Sequence, residues 1–62
     1  MDFIARCMRL VLPENFVNNG AIRAEAEVRL NDFNLNGMDL VQAQQRVCNV
    51  VLSIFHQMFP NA

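Results

Sequence analysis

Sixty-two residues make at most one domain, and a chain of this size buries only about 60% of the surface that its unfolded form exposes. Its apolar fraction is 53%, above the roughly 45–50% usual for globular domains, so more apolar surface has less interior to hide in. The net charge of −1 supplies no bulk field for nucleic acid or anionic lipid.

A single core this small rarely supplies more than roughly 3–5 kcal/mol without a disulfide, a metal or oligomerisation to support it. Cys7 and Cys48 do not make a disulfide-dense framework and read as free, mostly buried thiols in a reducing compartment. With His56 as the only histidine and no CxxC spacing, the ligands for a zinc site are too few. No metal or cofactor is therefore expected, and oligomerisation remains. The first residues carry no basic stretch ahead of an apolar run, so they do not read as a secretory signal. The stretch after Arg46 is uncharged, but Asn49, Ser53, His56 and Gln57 interrupt it and it is too short to span a membrane. A cytoplasmic location is the expectation.

In chain order, residues 2–12 are ambiguous. As a helix they are amphipathic, with Asp2, Arg6 and Arg9 on one side; as a strand they place one Arg on each face. Residues 13–20 read as a loop, with Asn18-Asn19-Gly20 a hairpin turn signal because Asn and Gly tolerate positive φ. Residues 21–30 alternate: Ile22, Ala24, Ala26, Val28 and Leu30 fall on one face of a strand, with Arg23, Glu25, Glu27 and Arg29 on the other. The same residues would form i,i+4 pairs Arg23/Glu27 and Glu25/Arg29 on a helix, but helical placement scatters the apolar ones around the axis, so the strand is preferred. Residues 31–38 read as a turn, with a bend near Asn31-Asp32 and turn residues Asn36-Gly37.

Residues 39–59 read as one long helix, opened by Asp39 and Gln42 at capping-box spacing and ended by Pro60. Its apolar residues cover an arc of about 200°, whereas a helix lying on one core needs about 100° or a little more. Half the stripe can cover the chain's own sheet; the rest calls for a partner, or for the loop at Glu14–Asn19 folding back through Phe16 and Val17. The expected fold is thus α+β: an N-terminal β-hairpin followed by one long C-terminal amphipathic helix (ββα), completed by dimerisation within a single domain, 1–62. The rival is helix–strand–helix, with the strand paired across a dimer. The dimer seam is expected at Leu40, Gln44, Val47, Val51, Ile54, Phe55 and Met58. Gln44, inside the stripe but only one turn into the helix, either bends its amide out to water or sets the register by pairing with its copy across a two-fold axis.

Chemistry is thin. His56 falls on the polar arc near the end of the last helix, where a cation suits the helix dipole, and no second histidine or nucleophile motif accompanies it. Glu25 and Glu27 share a strand face but are bracketed by Arg23 and Arg29, which reads as a solvated face. Gly20 and Gly37 are isolated, so no phosphate-cradling loop is present. The chain is not expected to be an enzyme. The preferred function is a small homodimeric interaction module acting as adaptor, inhibitor or regulator of another protein, which Arg23, Glu25, Glu27 and Arg29 would contact. The alternative is a nucleic-acid-binding regulator that lays an Arg-bearing β-ribbon in the major groove.

Overall fold

The computed structural model describes residues 3–31 and 39–62. Over them the backbone forms α1 (Phe3–Val11), a 3-10 turn (Glu14–Phe16), α2 (Gly20–Arg29) and α3 (Leu40–Met58). No strand occurs among the described residues. This overturns the ββα expectation, and its rival fails too, because the middle element is a helix. The turn expected over 31–38 lies, apart from Asn31, outside the described residues.

α1 follows from helical spacing. Cys7, Met8 and Leu12 are buried, Ile4 and Val11 pack against them, and Arg6 and Arg9 stay exposed. Those apolar positions recur as i, i+3, i+4, i+7 and i+8, a single face of a 3.6-residue helix. Pro13 has no N–H to continue the helix and enters the 3-10 turn, where its carbonyl accepts from the Phe16 N–H at 2.8 Å.

α2 is where alternation misleads. The Asn19 side chain caps the helix, Oδ1 accepting from the Ile22 N–H at 3.0 Å, and Gly20 is the first helical residue. Asn19-Gly20 is thus a helix start, not a hairpin turn. Only Ile22 and Ala26 are buried, with Leu30 half-buried beyond them, a narrow i, i+4, i+8 stripe. Val28, which alternation assigned to the core, is 70% exposed, and Ala24 is exposed as well. Three of the alternating positions tolerate either setting: Ala24 and Ala26 carry little side chain to place, and Val28 loses little when it is left in water singly. What decides is local. Ala, Glu and Arg are good helix formers. The two i,i+4 pairs form, Arg23–Glu27 at 3.0 Å and Arg29–Glu25 at 3.1 Å. Each such exposed pair contributes about 0.2–0.5 kcal/mol, with Glu25 preceding Arg29 the better orientation.

α3 lies where its periodicity places it, with the Asp39 carboxylate accepting from the Val41 N–H at 3.4 Å. Ala43, Val47, Val51, Ile54 and Phe55 are buried along it. Both α1 and α2 pack mainly on α3 and meet each other less. The wide apolar arc therefore has two helices of the same chain to cover. The 3-10 turn adds a third cover: Phe16 stands edge-on to Phe55 at 4.9 Å and tilted on Phe59 at 4.9 Å. Fold-back of this loop, one of the two outlets for the extra width, is present.

Two substitutions distinguish this helix from a hairpin by urea unfolding followed by far-UV circular dichroism. A methyl added at Gly20 meets open space, and the backbone there does not have a positive φ, so Gly20→Ala stabilises by about 0.5 kcal/mol; a turn glycine would lose stability instead. Val28→Gln changes stability by less than about 0.5 kcal/mol, where a core valine would cost several times that.

Candidate interaction surface

The expected seam divides in two. Val47, Val51, Ile54 and Phe55 are between 0 and 6% exposed inside the chain's own core, so a partner reaches them only if the monomer opens. Leu40 and Met58 are 72% and 40% exposed, and Gln44 is exposed. In the single chain Gln44 is exposed, at a helical angle that is core further along α3, at Val51 and Phe55. Val41, absent from the expected seam, is 65% exposed beside it.

Of these, Val41 and Gln44 line a groove of about 280 Å³, together with Val11 of α1 and Gln45, Cys48, Asn49 and Leu52 of α3. Its volume lies just under the roughly 300–1,000 Å³ of small-molecule pockets. Among the described residues the lining is apolar with amide rims and carries no carboxylate, arginine or histidine. One reactive group faces it, the half-buried Cys48 thiol. Behind it Cys7 is fully buried. Burial pushes the Cys7 thiol up to about 12, the hydrogen bond to Cys48 and its charge add to the rise, and Arg6 pulls the other way.

The four residues expected to meet a partner do not share one face. At 100° per residue, Arg23 and Glu27 flank one side of the Ile22–Ala26 stripe while Glu25 and Arg29 flank the other. Each pair is internally neutralised. Arg29 is further engaged: its guanidinium donates to the Gln57 side-chain oxygen at 2.6 Å, tying the last turn of α2 to the last turn of α3. The β-ribbon that carried the nucleic-acid alternative has no counterpart in the helical fold. His56 is exposed in the last turn of α3, its ring 5.5 Å from that of Phe55.

Comparison with family models, with curated proteins and with solved structures finds no match for this chain. Function therefore rests on the surface itself. Among the described residues no cluster of His, Cys, Asp and Glu is arranged to hold a metal ion, and no helix is long and apolar enough to cross a membrane.

The groove was not readable from sequence because it depends on where α1 ends. Val11 is its α1 wall, and residues 2–12 were ambiguous between helix and strand. The core placement of Val51 and Phe55 carries its own test. Replacing both with Asp removes helical circular dichroism altogether, because two charges enter the interior of the single chain. A variant that kept the wild-type spectrum would contradict their burial.

Proposed function

We propose that the chain is a small helical protein-interaction module, and that it pairs with a second copy of itself through the first half of α3. The supporting observation is the exposure of Leu40 and Val41 at 72% and 65%, beside a groove whose described lining residues carry no charge. A two-fold interface sets each residue near its own copy or that of a close neighbour, so a patch free of charge meets no like-charge repulsion. Gln44, Gln45 and Asn49 supply neutral amides, which donate and accept equally well across such an axis. Leu10, Val28 and Met58 are also exposed, but none lines this groove.

A standard interface removes about 800 Å² per partner, a large share of this chain's 4410 Å² surface. Pairing through the first half of one helix is accordingly weak and concentration-dependent. Binding rather than turnover is the reading, because the groove offers amides and one thiol but no acid–base pair. The role of adaptor, inhibitor or regulator of another protein belongs to the same proposal.

Sedimentation equilibrium over a concentration series tests it. The wild-type chain associates reversibly to a dimer, and Val41→Asp shifts the equilibrium at least tenfold toward monomer while keeping the helical spectrum. A wild-type chain that stays monomeric throughout, or a dimer indifferent to Val41→Asp, contradicts the assignment.

A further inference from the structure

We propose that Cys48 is a thiol-exchange site with Cys7 as its resolving partner, so that a small organic disulfide entering the groove closes a Cys7–Cys48 bond between α1 and α3. Three placements converge on this. Cys48 is half-buried and lines the groove, so its sulfur is reachable from solvent. Cys7 lies one turn before Val11 on the same face of α1, and Val11 forms the groove's α1 wall. Cys7 is fully buried in the core cluster against which Cys48 packs, so the two cysteines meet across the α1–α3 contact. An incoming disulfide therefore meets Cys48 first and cannot reach Cys7 directly.

The exchange balances in two steps. The Cys48 thiolate attacks one sulfur of the small disulfide, forming a mixed disulfide and releasing one small thiolate, which takes up a proton. The Cys7 sulfur then attacks the Cys48 sulfur and expels the second small thiolate, which takes up the proton that Cys7 gives up. Two protein thiols are oxidised to one disulfide, and one small disulfide is reduced to two thiols. The high affinity of Cys7 for its proton makes it a poor first nucleophile, which agrees with this order of events. The uncharged lining favours a neutral reagent over a charged one.

The inference stands apart from the self-association proposed above, because it concerns the single chain and is tested at dilution. Dilute reduced protein is treated with hydroxyethyl disulfide under native conditions and read by intact mass and by cleavage after arginine. The expected product is lighter by two hydrogens and retains no hydroxyethyl group. Cleavage after Arg6, Arg9 and Arg46 then releases Cys7–Arg9 joined to Val47–Ala62. The oxidised chain unfolds at higher urea than the reduced one, since the bond closes a long loop. Cys7→Ser accumulates the mixed disulfide on Cys48. A wild-type chain that keeps the adduct on Cys48, links to a second copy, or reacts only in denaturant overturns the proposal. The wild-type mass decides the matter even where a cysteine variant folds poorly.

Discussion

The structure depends on α3 being covered from two sides. Val47, Val51 and Ile54 are inaccessible along one helix, and neither α1 nor α2 has another apolar surface of comparable extent to fold on. Helices of nine and ten residues are marginal in water by themselves, so α1 and α2 persist because each docks on the 19-residue helix. Stability of a chain this size is roughly 3–9 kcal/mol in all. Deleting one buried branched side chain from α3 costs about 2–5 kcal/mol, enough to remove much of that.

The cover is uneven, and its unevenness places the functional features. Toward the C-terminal end of α3, Phe16, Phe55 and Phe59 form an aromatic cluster and Arg29 bonds to Gln57. Toward the other end, Leu40, Val41 and Gln44 have no such cover. Cys48 and Cys7 sit at the transition, one thiol at the groove and the other in the core. The proposed association surface and the proposed exchange site both border the groove between Val11 of α1 and the first half of α3.

Long-range periodicity made α3 legible, because 19 residues sample the helical period several times and Asp39 marks the start. The over-wide stripe was also visible, and its explanation depended on what lay opposite. Given a two-stranded sheet, half the arc needed a partner; given two helices and a folded-back Phe16, most of it is covered at home. The error began at residues 21–30. Ala24, Ala26 and Val28 supplied the apparent alternation, yet only Ala26 of these is buried. Alternation is a burial signal only where the residues are large enough for burial to matter. The competing cues, Asn19 as a cap and the two i,i+4 pairs, were present in the same residues and prevailed because each acts within one turn. The i, i+3, i+4 spacing of Ile4, Cys7, Met8 and Val11 was equally available, and the hairpin reading set it aside to give the supposed strand a neighbour.

One copy of this chain covers its own long helix, and any pairing is an addition at one end. Far-UV circular dichroism across a wide dilution series, with sedimentation equilibrium reporting the population of each species, tests that most directly. The expected result is a helical spectrum whose intensity per residue is unchanged when the chain is wholly monomeric. Helix content that falls in step with dissociation would contradict it, because α3 would then depend on a second copy for its cover.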